Sequence, residues 1–182
     1  MRLVTLLPIA LLTACSTTNS TSMGRIGGAI PSVIVTSEVV GPAGEALGKA
    51  VLSQQSDGTR VRLDVTGLPA GTYAVHLHTT GRCDGPAFTS AGGHFNPGMK
   101  QHGAQNPAGA HLGDLPNISV AQNRQGSLDA TSPGLRLTGG DAPLMDTDGA
   151  AIMVHAAPDD YRTDPAGNAG ARIACGVLSS GK

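Results

Sequence analysis

The chain of 182 residues has almost no aromatic side chains: two Phe, two Tyr and no Trp. A core in this chain must therefore be aliphatic, and we expect covalent or metal reinforcement of so small a domain. An excess of positive charge is also absent, since 12 Lys and Arg stand against 13 Asp and Glu. The chain therefore has no surplus of basic residues to bind the phosphates of nucleic acid, which excludes that class of partner.

Amphipathic helical periodicity is lacking as well, whereas glycine and proline are frequent, with 26 and 12 residues. In residues 59–66, apolar Val61, Leu63 and Val65 alternate with polar residues, the period of a half-buried strand. Ser-Asp-Gly at 56–58 predicts a hairpin turn before it. Strands are predicted at 33–40, 46–54, 59–66, 72–79, 117–122, 126–131, 150–156 and 171–179. These eight short strands predict an all-β antiparallel sandwich or barrel.

The N-terminus has the composition of an export signal, because Arg2 precedes an apolar stretch too short to span a bilayer. The stretch ends in Leu-Thr-Ala-Cys, which resembles the bacterial lipobox, whose cysteine is lipidated and becomes the mature N-terminus. We expect residues 1–14 to be a signal peptide, 15–31 a lipidated Cys15 with a flexible tether, and 32–182 the domain. The alternative is an ordinary signal peptide with an incidental cysteine.

Lipidation of Cys15 leaves Cys83 and Cys175 as a pair. In an oxidising compartment the pair is expected to form a disulfide, and the alternative is two buried free thiols. The anchor also predicts a periplasm-facing lipoprotein, and Ser16 favours the outer membrane of a Gram-negative host.

One long segment, about residues 79–116, shows neither strand nor helix pattern. A loop of this length is expected either to carry function or to be held in place by bound groups. It contains His94, His102 and His111, and Asp114 follows three residues after the last of them. Three imidazoles and one carboxylate form a closed ligand set that structural zinc accepts. The alternative is a mobile polar loop with scattered histidines.

The other three histidines lie in predicted strands. His76 and His78 are two residues apart, so their rings face the same side of the strand. His155 follows an apolar run and can supply a third nitrogen to a metal that is not fully enclosed. Imidazole-rich sites suit copper as well as zinc. Alone, a His-X-His pair is more often polar surface, and a lone histidine at a strand end is usually a structural residue.

The motifs HLH, SAGGHFNP, HLGD, MVHAAPDD and GNAGARIACGV occur in this order between residues 33 and 179. Together they resemble the copper,zinc superoxide dismutase family, and TTGRC ending at Cys83 is similar to its exported bacterial members. The resemblance implies an eight-stranded Greek-key, Ig-like sandwich or flattened barrel with long metal-binding and electrostatic loops. It also implies dismutation of superoxide to oxygen and hydrogen peroxide by a redox-cycling copper.

The resemblance further implies a role for each candidate residue. Copper would be bound by His76, His78, His94 and His155. Zinc would be bound by His94, His102, His111 and Asp114. His94 would thus bridge the two metals, and Asp159 would accept hydrogen bonds from histidines of both sites. Arg172 would be the active-site cation that attracts superoxide. The alternative for Arg172 is an ordinary surface arginine. The alternative for Asp159 is that it forms an exposed acidic pair with Asp160.

Two features depart from the family pattern. Ala74 and Val75 stand where a glycine and an aromatic residue usually precede the first copper ligand. Arg162 is the only cation between Asp160 and Arg172, which leaves few charges to steer an anion.

The rival function is a non-catalytic periplasmic copper- or zinc-binding module on the same fold. Relatives of that kind tend to lose ligands or the arginine, whereas this chain retains all of them. An adhesive Ig-like domain would need no ligand set. The expected partners are the superoxide anion and, through the lipid anchor, the membrane; a homodimer is compatible with the chain.

Overall fold

Nine β-strands run through residues 33–180, the part of the chain that the computed structural model describes. They are β1 Ile34–Val40, β2 Ala46–Gln54, β3 Gly58–Thr66, β4 Gly71–Tyr73, β5 Val75–His78, β6 Ile118–Val120, β7 Gln125–Pro133, β8 Ala150–His155 and β9 Arg172–Ser180. The predicted signal peptide, Cys15 and the tether lie outside the described residues. Of the helices described, none is long and apolar enough to cross a bilayer.

The strand count exceeds the predicted eight because one predicted strand, 72–79, is interrupted at Ala74. The amide of Ala74 donates to Ala157 O at 2.9 Å, and its carbonyl accepts from His155 N at 3.0 Å. Pairing therefore passes from β6, the partner of β4, to β8, the partner of β5. The other predicted strands are confirmed with small shifts at their ends.

The strands form a single sheet in the order β4-β6-β7-β3-β2-β1-β9-β8-β5, with every pairing antiparallel. The first and last members of this order are joined in the chain by Ala74 alone, so the sheet curls into a nearly closed barrel. The crossovers between β3 and β7 and between β1 and β9 have the long connections of a Greek key. The predicted all-β class is confirmed.

The barrel interior is aliphatic, as the scarcity of aromatic residues requires. On β3, Val61, Leu63 and Val65 are at most 1% exposed and the alternating polar residues face solvent. Each such side chain contributes roughly 1.5–3 kcal/mol on burial. The predicted hairpin turn before β3 is closed by Gln55 N donating to Gly58 O at 2.8 Å.

The long loop between β5 and β6 is attached along β5, on the side opposite β8. Leu77 N donates to Gly113 O at 2.9 Å, and Leu77 O accepts from Phe95 N at 2.8 Å. A disulfide between Cys83 and Cys175 ties the same loop to β9, which confirms the predicted pair. The loop is thus held against the strands that carry the histidines.

Candidate metal centre

The six histidines and Asp114 converge at this junction of loop and sheet. His76 and His78 lie on β5, and His155 ends β8, where a shift of register after Val154 turns the strand end. Such a bulge re-aims a side chain relative to its strand. The ring centroids of His76 and His94 are 3.9 Å apart.

One group of ligand atoms comes from His76, His78, His94 and His155, with one nitrogen of each within 4.8 Å of the others. Four ring nitrogens in this group are buried without a hydrogen-bond partner: His76 Nδ1, His78 Nε2, His94 Nε2 and His155 Nε2. Buried polar atoms are rarely left unpaired, and each exception calls for an explanation. A metal ion bound by imidazole satisfies all of them at once.

The opposite nitrogens of two of these rings are held by backbone carbonyls. His78 Nδ1 lies 3.0 Å from Gly92 O, and His155 Nδ1 lies 3.3 Å from Gly170 O. A carbonyl oxygen only accepts, so each Nδ1 carries the proton and donates it. The Nε2 lone pair of both rings is thereby directed into the group, the arrangement in which proteins hold metal-binding histidines.

A second group surrounds one carboxylate oxygen. Asp114 Oδ1 lies 3.1 Å from Nδ1 of each of His94, His102 and His111. His111 Nδ1 is 3.4 Å from His94 Nδ1. Ligands bound tetrahedrally to zinc at about 2.0 Å lie about 3.3 Å from one another. These four separations are close to those expected around a tetrahedral zinc ion.

Asp159 lies between the two groups and is 4% exposed. Its Oδ2 is 2.9 Å from His76 Nε2, and its Oδ1 is 2.9 Å from His102 Nε2. Burial alone would raise the pKa of this carboxyl, but hydrogen bonds from His102 and His76 outweigh burial and lower it. An ionised Asp159 thus links a ring of each group, whereas the neighbouring Asp160 is exposed.

Burial also sets the protonation of the first group. It lowers the pKa of three rings, to about 4 for His76, about 2 for His78 and about 3 for His155. These rings are neutral at pH 7 and can bind a metal without losing a proton. In His102, burial is outweighed by hydrogen bonds to Asp114 and Asp159, which raise the pKa to about 9. A metal at this ring must therefore displace a proton.

Arg172 is connected to the first group through a carbonyl. Its guanidinium donates to Phe88 O at 2.7 Å and to Gly92 O at 2.6 Å, and Gly92 O also accepts from His78. A recess of about 470 Å³ lies here, lined by Pro86, Ala87, Gly170, Ala171 and Arg172. Burial lowers the pKa of Arg172, but an arginine stays protonated at neutral pH. The lining is thus small and uncharged apart from one cation.

The other cation of the neighbouring loop is engaged elsewhere. Arg162 is exposed, and its Nε donates to Gln105 Oε1 at 2.9 Å, on the long loop. The sequence did not indicate this contact, nor the carbonyls of Gly92 and Phe88. Backbone acceptors carry no residue-type signal, so only the folded chain reveals them.

Comparison with known proteins agrees with this geometry. Residues 46–178 match the model of a family described as copper/zinc superoxide dismutase. A Cu-Zn superoxide dismutase of Aquifex aeolicus (strain VF5) is 44% identical over 143 residues, 78% of this chain and 85% of the relative. One from Caulobacter vibrioides is 41% identical over 138 residues, 74% and 79% of the two chains.

Two solved structures extend the likeness to the fold. A SOD-like protein from Bacillus subtilis aligns with a TM-score of 0.76 at 37% identity, over 79% of this chain and 97% of the other. The Cu/Zn superoxide dismutase from Brucella abortus aligns with a TM-score of 0.66 at 28% identity, over 80% and 99%. The two metal-ligand groups, the barrel and the matched length agree: this chain belongs to the copper/zinc superoxide dismutase family.

Proposed function

We propose that the first group of ligands binds copper and the second binds zinc, joined by His94. Family membership gives the cofactors, copper and zinc, and the activity, dismutation of superoxide. What supports the division of ligands is the chemistry of each group. The copper set is four imidazoles, namely His76, His78, His94 and His155, which is a donor set that a redox-active copper accepts.

The zinc set is His94, His102, His111 and Asp114. His76 also lies within 4.8 Å of His94, His102 and Asp114. We assign His111 to this set rather than His76, because His111 Nδ1 is 3.1 Å from the shared carboxylate oxygen. In His76 the Nε2 is already held by Asp159, and the unpaired Nδ1 is assigned to the copper set. The closed set of four protein ligands is that of a structural zinc.

His94 belongs to both sets because each of its nitrogens faces one of them. Its Nδ1 lies 3.1 Å from Asp114 Oδ1, and its Nε2 is buried and unpaired among the copper ligands. His94 would therefore help to hold both metals, and its Nε2 would be able to carry a proton when copper is not bound to it.

Two superoxide anions and two protons give one oxygen and one hydrogen peroxide. Copper, when bound, supplies the one-electron exchange between the two anions. The protein attracts the anion with Arg172, whose charge stands alone in the lining of its recess. Neutral Pro86 and Ala87 also line the recess, so Arg172 supplies the charge that an anion meets there. A positive charge in such a cleft raises the rate of encounter.

The observation that carries this function is the set of four buried, unpaired nitrogens beside the Asp114 group. The test is metal analysis of the purified protein together with a dismutation assay. We expect bound copper and zinc, loss of activity on chelation, and recovery on reloading with copper. A protein that binds both metals without turnover would instead be a non-catalytic metal-binding module.

We also propose that the domain of residues 32–182 is exported and held at the membrane by lipid on Cys15, facing the periplasm at the outer membrane. The support is the lipobox-like LTAC sequence after an apolar stretch, with Ser16 following. Cys15→Ala should release the protein from the membrane fraction or block its maturation. Mass spectrometry of the mature N-terminus gives the deciding measurement, because an unmodified N-terminus elsewhere contradicts lipidation. Gel filtration of the soluble domain tests whether it forms a homodimer.

A further inference from the structure

We propose that Asn117 is a positioning residue that fixes Asp159 and, through it, a ring of each metal group. The proposal rests on the ligand assignment above. Asn117 lies three residues after Asp114 and just before β6, 42 residues away from Asp159 in sequence. It touches no metal-ligand atom itself, so its effect would pass through Asp159.

The side-chain amide of Asn117 holds the backbone of Asp159 at two points. Asn117 Nδ2 donates to Asp159 O at 3.0 Å, and Asp159 N donates to Asn117 Oδ1 at 2.8 Å. One planar amide thus engages both polar groups of one residue. Side chains such as Ala or Leu offer neither group, and Asp offers the acceptor without the donor.

A second connection runs through Tyr161. Asn117 N donates to Tyr161 Oη at 2.9 Å, and Tyr161 N donates to Asp159 Oδ1 at 2.7 Å. The backbone of Asp159 is therefore held from one side and its carboxylate from the other. Two links to the same residue leave it little freedom to rotate.

Position matters here because the carboxylate of Asp159 serves two rings at once. Its bonds to His76 and His102 are both 2.9 Å, and the carboxylate is buried. A shift that lengthens these bonds frees one ring of the copper set and one of the zinc set together. Loss of an outer partner of this kind lowers metal affinity about 10–100-fold.

The test compares Asn117→Ala with Asn106→Ala. Asn106 is a matched control on the same loop, since its Nδ2 donates to His102 O at 3.1 Å and Arg162 O at 3.4 Å without contacting Asp159. We expect Asn117→Ala to weaken zinc binding about tenfold, the lower end for an outer partner. The copper(II) EPR spectrum should change as well, because His76 is released. Asn106→Ala, which loosens at most the backbone on the zinc side, should leave the copper(II) spectrum close to that of the unsubstituted protein.

A double-mutant cycle with Asp159→Asn separates positioning from general loosening. If Asn117 acts through Asp159, adding Asn117→Ala to Asp159→Asn should produce little further loss of zinc affinity. Full additivity, or the same change of the copper(II) spectrum in the Asn117 and Asn106 variants, would overturn the proposal. Should Asn117→Ala fail to fold, Asn117→Asp, which replaces the donor with an oxygen and adds a negative charge, carries the same cycle with the same two outcomes.

The proposed function fails in a different way. If the unsubstituted protein holds no copper or zinc, the ligand assignment is wrong. If it holds both metals and the cycle is additive, only the role of Asn117 is wrong.

Discussion

Gly167→Ala should lower the affinity for zinc, because Gly167 packs directly against the hydrogen bond between Asp159 and His102. A β-carbon at this position would overlap Asp159 Oδ1 and lie 2.7 Å from His102 Nε2. Gly167 has a φ of 65°, so alanine there also carries backbone strain. Gly170 provides the control, because its φ is 75° but its β-carbon would meet only methyl groups and backbone at 3.8 Å or more.

The expected magnitude follows from what the two substitutions share. A left-handed conformation costs alanine roughly 1–2 kcal/mol, and this cost is common to both variants. Displacing Asp159 in addition removes a buried hydrogen bond to a charged group, worth about 1.5–3 kcal/mol. We therefore expect zinc affinity to fall about 10–100-fold further in Gly167→Ala than in Gly170→Ala, the range for a lost outer partner.

Competition with a chromophoric zinc chelator measures these affinities, and thermal unfolding of the metal-free proteins measures the loss of stability without metal. The metal-free Gly167→Ala protein should be the less stable of the two, because it loses the bond between Asp159 and His102 in addition to the shared backbone strain. Equal zinc affinities in the two variants, with similar unfolding temperatures, would refute the steric argument and leave only backbone strain.

The remaining predictions concern the metals, the disulfide and the cation. His111→Ala should release zinc and leave the copper nitrogens in place, whereas His78→Ala should abolish dismutation with zinc retained; metal analysis showing loss of the same metal from both contradicts the assignment. The residues of the Cys83–Cys175 disulfide are 92 apart in sequence, so its removal should lower the free energy of unfolding by up to about 4–5 kcal/mol. Denaturant titration measures this loss, and an unchanged midpoint contradicts the prediction. Arg172→Glu should reduce activity more than Arg172→Lys at equal copper content, and salt should narrow the difference, because charges are screened over about 10 Å at 0.1 M; equal activities at low salt contradict steering.

Much of the barrel could be predicted from local pattern. Alternation such as that of Val61, Leu63 and Val65 is a property of consecutive residues, and the side facing the core follows from it directly. The break at Ala74 could not be predicted, because it depends on hydrogen bonds to Ala157 and His155, about 80 residues away. The sequence pattern on either side of the break still predicts one continuous strand.

The same division applies to the metal centre. The histidines and Asp114 are recognisable because their chemistry and spacing are visible in the chain, and the family resemblance sorts them into two sets. Asn117 and Gly167 are not recognisable in this way. Their roles arise from contacts with Asp159 made across the fold, and an asparagine or glycine in a loop is ordinary in any sequence.

The attachment of the long loop along β5 has a consequence for association between molecules. The backbone of β5 is bonded to β8 on one side and to Gly113 and Phe95 of the loop on the other. His94 and Asp114, to which we assign metal-binding roles, are the immediate neighbours of these residues, and they form isolated bridges to His78 and His76. Release of the loop would uncover the N–H and C=O groups of Leu77 as a free strand edge, a surface to which another chain can pair. The loop segments that carry His94 and Asp114 thus cover an edge of β5 that would otherwise be open to pairing.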